Sequence, residues 1–270
     1  MENKKRKFGV IPFLIISIVL VVLCRIAFDD GLAIRTYTVD SPHVEAEHTF
    51  VVIADLHSTL YGEGQSELVA EIDAISPEAI FFVGDIGEDR RDFDNTATLL
   101  EAIADRYPCY YVPGNHERWV DYTDDIHALF ESYGVITLSE ENVDLGDGIV
   151  LHGIDDPRFY ETKDAFTEAL YNFPVSGDKF DILLSHRPEF AEQYAEAGFD
   201  LTLCGHAHGG QVIIPYVING VLAPNQGFFP KWAGGEYSFG DARVIVSRGL
   251  MRNDLPRVFN PPELVVITVK

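Results

Sequence analysis

A chain of 270 residues with 43 acidic against 20 basic side chains, a formal net charge of -23, can bury one large core and repels polyanions, which excludes duplex DNA and long RNA as partners. A small phosphorylated ligand is not excluded, because bound divalent cations reverse the sign inside a pocket. Three cysteines with no CxxC pair exclude a disulfide framework and a thiolate zinc site, and Cys109 and Cys204, in or beside apolar runs, are expected as buried thiols.

Lys4, Lys5, Arg6 and Lys7 precede an apolar run from Phe8 to Cys24. As a helix its 17 residues would span about 25 Å, near the lower limit for a bilayer, and continuation through Phe28 with Arg25 snorkelling lengthens it. Residues 1–28 are therefore expected to form a single-pass anchor in the cell membrane, with the basic end cytoplasmic and the chain beyond Asp29 and Asp30 extracytoplasmic. A cleaved signal peptide is the rival reading, but Arg25 two residues before Ala27 spoils the small-x-small pattern. Residues 29–48 read as a linker and a lead-in strand around Ile34 to Val39, and 49–270 as one domain.

Phe50 to Ala54 reads as a buried strand that delivers Asp55 and His57, two apart and able to face one way. A carboxylate directly after five apolar residues needs a partner if buried, and a cation supplies one. After a helix from Ser66 to Ile75, the strand Ala79 to Val83 delivers Asp85, completing a βαβ unit. The run Glu88 to Asp92 reads as a solvated loop, and a helix follows from about Asn95 to Ala104. Cys109 to Val112 then leads into Asn115 and His116, the first a neutral oxygen donor, the second turned elsewhere and suited to donating a proton or touching phosphate.

A helix from Asp124 to Tyr133 precedes short strands at Ile136 to Leu138, Val143 and Ile149 to Leu151, with Asp147-Gly148 turning a hairpin. His152 reads as structural, and the aromatics from Phe159 to Phe173 as core. Beyond a helix from Asp164 to Tyr171, the strand Phe180 to Leu184 ends at His186. A helix from Pro188 to Ala197 joins it to Leu201 to Cys204, which opens into Gly205-His206-Ala207-His208-Gly209-Gly210-Gln211. Ala242 to Ser247 and Leu264 to Val269 are expected as closing strands of a second sheet. Phe228, Phe229, Trp232 and Tyr237 read as core or as a membrane contact. Arg248 and Arg257 are read as phosphate contacts or ion-pair partners, and His43, His48 and His127 as surface residues.

Five strand-like runs thus end in metal-type residues: Asp55, His57, Asp85, Asn115, His186, His206 and His208. Seven oxygen and nitrogen donors are too many for one tetrahedral ion and suit two divalent ions, Mn²⁺ first, with Fe²⁺ or Zn²⁺ as alternatives. Such a pair activates water and clamps phosphate oxygens.

The blocks Asp55-Leu56-His57, Gly84-Asp85, Gly114-Asn115-His116-Glu117, His186 and Gly205-His206-Ala207-His208 resemble, in order, those of the calcineurin-like metallophosphoesterases. Gly209-Gly210-Gln211, Ser247-Arg248-Gly249-Leu250 and Pro261-Pro262-Glu263 are similar to the membrane-associated bacterial branch with YkuE and UDP-2,3-diacylglucosamine diphosphatase-like proteins. The resemblance implies an α/β fold, a two-sheet β-sandwich flanked by helices in α-β-β-α layers. It implies that Asp55, His57 and His208 hold one metal, that Asn115, His186 and His206 hold the other, that Asp85 bridges, and that His116 contacts phosphate or protonates the leaving oxygen. Glu88 and Ala207 depart from the aspartate and threonine frequent in relatives. The expected function is hydrolysis of a phosphodiester or diphosphate bond in a small phosphorylated or lipid-linked substrate, in contact with membrane lipid. The alternatives are an extracytoplasmic phosphomonoesterase or protein phosphatase, or a non-catalytic membrane-tethered scaffold.

Overall fold

The computed structural model describes residues 10–87, 93–119, 123–252 and 256–270, so the basic cluster Lys4 to Lys7 and the run Glu88 to Asp92 lie outside the described residues. Helix α1 (Val10–Ala27) is followed by strands β1 (Ala33–Val39) and β2 (His48–Ile53), helix α2 (Ser66–Ile75) and strand β3 (Ala79–Val83). Next come α3 (Asp94–Ile103), β4 (Cys109–Val112), α4 (Asn115–Trp119), α5 (Thr123–Ser132), β5 (Ile136–Thr137), β6 (Glu141–Gly146) and β7 (Ile149–Gly153). The C-terminal part carries α6 (Lys163–Tyr171), β8 (Phe180–Leu184), α7 (Ala191–Glu196), β9 (Leu201–Cys204), β10 (Leu222–Ala223), β11 (Gly227–Phe228), β12 (Gly235–Phe239), β13 (Ala242–Val246) and β14 (Glu263–Val269).

Helix α1 has a mean hydropathy of 2.8 and is long and apolar enough, by length and composition, to cross a membrane. Of its 18 residues only Ala27 is buried, so its apolar surface finds no partner within the described residues.

The strands form two six-stranded sheets, ordered β1-β14-β2-β3-β4-β5 and β12-β13-β9-β8-β7-β6. Strands β2 to β5 pair in parallel in the first sheet, as do β7, β8, β9 and β13 in the second. Parallel pairing brings the carboxyl ends of each set to one edge, where loops can gather. It also calls for apolar residues on both faces, which explains the unbroken runs in place of alternation.

The period of two divides each run between layers. Phe50 and Val52 of β2 and Phe81 and Val83 of β3 meet Ile182, Leu184, Leu201 and Leu203 between the sheets. Their neighbours Val51, Ile53, Ile80 and Phe82 turn outward onto Leu68 and Ile72 of α2, Leu99 and Ile103 of α3 and Phe130 of α5. On the other side Leu183, Val244 and Val246 pack with Phe166, Leu170 and Tyr194 from α6 and α7. Each such side chain, fully buried, contributes about 1.5–3 kcal/mol. The result is the expected sandwich of two sheets between helices.

Some expectations are corrected. Of the two expected closing strands only Ala242–Val246 lies in the second sheet, and there between β12 and β9 rather than at the edge. Strand β14 instead lies inside the first, antiparallel to β2 with Val265 opposite Val52 and parallel to β1. Its Val265 and Ile267 face the inter-sheet layer while Leu264 and Val266 face the helices, so a central position buries both sets. The helix expected from Pro188 begins as a 3-10 turn, Pro188–Phe190, and becomes α-helical only at Ala191. His43, His48 and His127 are half-buried, not surface residues. The His48 ring nitrogens each lie 2.8 Å from a carboxylate, of Glu78 and of Asp147, which draws the ring down. His152 is structural as expected, buried with Nε2 2.6 Å from Asp181 Oδ1.

Candidate metal centre

The loops that leave β2 and β3 remain bonded to each other beyond the sheet. The Asp55, His57 and Ser58 N–H groups donate to the carbonyls of Gly84, Asp85 and Ile86 at 3.0, 3.0 and 2.9 Å. The chain turns sharply to do so: Asp55, His57 and Asp85 have φ of 50°, 47° and 54°, and His206 and His208 after β9 have 68° and 48°. Left-handed backbone at five non-glycine residues costs about 1 kcal/mol or more apiece, a cost that concentrates at functional sites. Two glycines allow the close approach. A Cβ on Gly114 would stand 2.3 Å from Asp85 Oδ1, and one on Gly84, itself at φ 72°, would stand 2.5 Å from His186 Nδ1.

The structure brings all seven expected donors and His116 to the carboxyl edges of β2, β3, β4, β8 and β9. Two groupings are compact enough to hold a cation, Asp55 with His57 and His208, and Asp85 with His186 and His206. A third joins His57, Asp85 and His116. Asp85 Oδ2 stands between the first two, 3.1 Å from His186 Nε2 and 3.8 Å from His57 Nε2.

Hydrogen bonds orient the donors. The His186 Nδ1–H donates to the Val83 carbonyl at 2.9 Å, which leaves Nε2 to carry a lone pair toward Asp85. His206 N–H donates to both Asp55 oxygens at 2.9 Å, and His116 N–H to Asp85 Oδ1 at 2.8 Å. Asp85 Oδ2, Asn115 Oδ1, His186 Nε2, His206 Nδ1 and His208 Nδ1 are all buried and make no hydrogen bond among the described residues. Polar atoms buried without partners cost about 1–3 kcal/mol each. Five of them, all good donors to a divalent ion, fit metal ligation by chemistry and by placement.

Burial alone would lower the His186 imidazole, but the Asp85 and Asp55 carboxylates raise it to about 10, so a cation that takes Nε2 as a ligand displaces a proton held there by those carboxylates. Burial raises Asp55 to about 6. Asp85 is held well below the usual carboxylate range, since His186, His57 and His116 outweigh its burial. Burial, followed by neighbouring positive charge, pushes His206 and His208 well down and keeps both rings neutral, as ligands must be.

Several supporting residues were not visible as such in the sequence. The buried Glu117 carboxylate accepts the N–H groups of Asp85, Ile86, Gly87 and Gly114 at 2.7–3.0 Å, clamping two loops. Arg187 forms a two-pronged ion pair with Asp156 and sets Nη1 3.0 Å from His206 Nε2. Asn225 Oδ1 lies 3.0 Å from the same nitrogen. The adjacency of Arg187 to His186 was the available signal; its partner Asp156 lies 31 residues away. Arg257 is buried and donates to the carbonyls of Arg248, Gly249, Met251 and Asn260, and Arg248 reaches Asn219 and Glu263.

A family model for calcineurin-like phosphoesterases matches residues 48–210. A metallophosphoesterase of Campylobacter jejuni is 28% identical over 244 residues, covering 88% of this chain and 63% of the relative, so the chain spans less than two thirds of that protein. The metallophosphoesterase YkuE of Bacillus subtilis is 26% identical over 245 residues, with 85% of this chain and 81% of YkuE covered. The UDP-2,3-diacylglucosamine pyrophosphatase LpxG of Chlamydia muridarum is 30% identical over 137 residues, 48% of this chain and 40% of its own.

Proposed function

The chain belongs to the calcineurin-like phosphoesterase family, and from that premise we propose that it is a dinuclear metal-dependent hydrolase of phosphodiester or diphosphate bonds. The observation that carries this reading is the convergence of unpartnered buried donors on Asp85. Asp55, His57 and His208 would hold one cation, Asn115, His186 and His206 the other, with Asp85 shared. Two divalent ions, Mn²⁺ or alternatively Fe²⁺ or Zn²⁺, would supply an activated water and neutralise phosphate charge.

The chain's own residues do the rest. His116 is tethered through its backbone to Asp85, with its ring 4.5 Å from Trp119 and 4.6 Å from His57. It is half-buried at the rim, where its imidazole would protonate the departing oxygen or bind phosphate. Asn225 Oδ1 accepts from His206 Nε2–H and so leaves Nδ1 as the metal donor, Arg187 packs beside that ring while paired with Asp156, and Glu117 holds the Asp85 and Asn115 loops in register.

Two observations support a substrate class, the exposed apolar α1 and the similarity to LpxG, which is named as a UDP-2,3-diacylglucosamine pyrophosphatase. We read residues 1–28 as a single-pass anchor, 29–48 as a linker and lead-in strand, and 49–270 as an extracytoplasmic catalytic domain acting on a lipid-linked phosphodiester or diphosphate. Full-chain protein in detergent, given Mn²⁺, should bind two metals and cleave bis-p-nitrophenyl phosphate faster than p-nitrophenyl phosphate. Absence of bound metal would overturn the reading, and preference for the monoester would redirect it to a phosphomonoesterase.

A further inference from the structure

The segment Val212 to Gly235 follows the two histidines of the centre and contains one lysine and no carboxylate over 24 residues, in a chain with 43 acids. Within it Tyr216, Val217, Phe228 and Phe229 are 108, 76, 73 and 65% exposed, and Ile214 and Leu222 are exposed as well. Single exposed apolar side chains are ordinary; six on two adjoining loops mark an interaction surface. The loops adjoin because Gly210 O accepts both Val212 N–H and Val221 N–H, at 2.7 and 3.0 Å.

This surface is continuous with α1 and with the metal centre. Ile213 N–H donates to Val258 O at 2.9 Å, and the next residue, Phe259, donates its N–H to Ala27 O at the end of α1 at 2.6 Å. Asn260 Nδ2 donates to His208 O at 2.8 Å, while Asn225, in the turn between β10 and β11, contacts His206. The end of α1, both apolar loops and the centre are thus joined by direct hydrogen bonds.

We infer that the loop 213–218 and the β10–β11 hairpin form a bilayer-docking face that enters the interfacial layer beside α1 and holds the metal centre at headgroup depth. The lack of carboxylates selects a lipid surface: an acid there would be desolvated and repelled by anionic headgroups. Tyr216 at the tip suits the interface, where aromatic rings with a polar end settle. A substrate whose acyl chains stay in the bilayer would then present its phosphate without leaving the membrane. This inference rests on reading α1 as membrane-spanning.

The test uses the full chain in liposomes with Cys24→Ser and a single introduced cysteine, at Val217 or at Asp241, carrying an environment-sensitive fluorophore. Asp241 precedes β13, at the strand end opposite the centre. The Val217 label should be quenched at least about twofold by lipids brominated high on the acyl chain, at the roughly 5–10 Å depth of interfacial segments, and the Asp241 label should not. A chain that resists carbonate extraction while its Val217 label stays in water overturns the docking face and leaves the anchor standing. A chain released by carbonate overturns both. Quenching that vanishes as protein is diluted in lipid assigns the face to a second copy of the chain and overturns the inference.

Discussion

His186 presents Nε2 to Asp85 Oδ2 at 3.1 Å while its Nδ1–H is committed to the Val83 carbonyl. Both atoms are buried, and with His206 they form a grouping compact enough to hold a cation. Asp85→Asn keeps the shape and removes the charge both metal groupings share. Metal content should fall below two per chain and turnover by at least about 100-fold, beyond the usual cost of disturbing a ligand's surroundings. Elemental analysis beside a diester assay checks this; two retained metals with near-normal turnover would show that Asp85 does not bridge.

His116 stands next to the ligands with its ring at the rim. His116→Ala should leave metal content near wild type and cost about 10²–10⁴ in turnover, most for substrates with poor leaving groups. A series of aryl diesters of rising leaving-group pKa reads out the effect. A flat dependence would remove His116 as the acid, and parallel loss of metal would make it a ligand.

The strand-end donors were legible because an aspartate or histidine at the end of a run of apolar residues is conspicuous, and Asp55, Asp85, His186 and His206 all sit two residues beyond a strand. The sheet that receives β14 was not, since Val265 opposite Val52 is a pairing across the whole domain that no local pattern encodes. Glu117, Asp156 and Asn225 were hidden for the same reason. Glu117 reaches Asp85 32 residues away, Asp156 reaches Arg187 31 residues away and Asn225 reaches His206 19 residues away, and contacts of that range leave no periodic signal.

The Glu117 carboxylate satisfies four N–H groups with two oxygens. Glu117→Gln replaces one oxygen by an NH₂ facing two N–H donors. Loss of those bonds and burial of the unpaired groups should cost about 2–4 kcal/mol. Thermal unfolding should show a midpoint lower by roughly 5–10 °C for a domain of this size. An unchanged midpoint would mean that the loops are held by other contacts.

Arg187 offers a fork to Asp156 and a third nitrogen to His206. Arg187→Lys keeps the charge but cannot hold the fork onto Asp156, so the side chain packed against the His206 ring loosens and the ring with it. Apparent metal affinity should weaken about 10–100-fold with little change in turnover at saturating metal. Metal titration separates the two quantities, and a drop in saturated turnover alone would place Arg187 at the substrate instead.

His48 ties the start of β2 to Glu78 and Asp147, away from the metal centre. Burial lowers its pKa, but hydrogen bonds to Asp147 and Glu78 outweigh this and raise it above the ordinary histidine value of 6.5. A histidine raised on folding stabilises the native state fully below its unfolded pKa and loses that contribution as pH climbs through the folded value. His48→Gln should therefore destabilise the protein at pH 6 by about 0.5 kcal/mol, a figure already reduced for solvent screening, and by progressively less toward pH 9. Urea unfolding of both proteins across that range checks the slope. A destabilisation that grows with pH would mean that the ring is bound neutral and that its two carboxylate partners do not hold a proton on it.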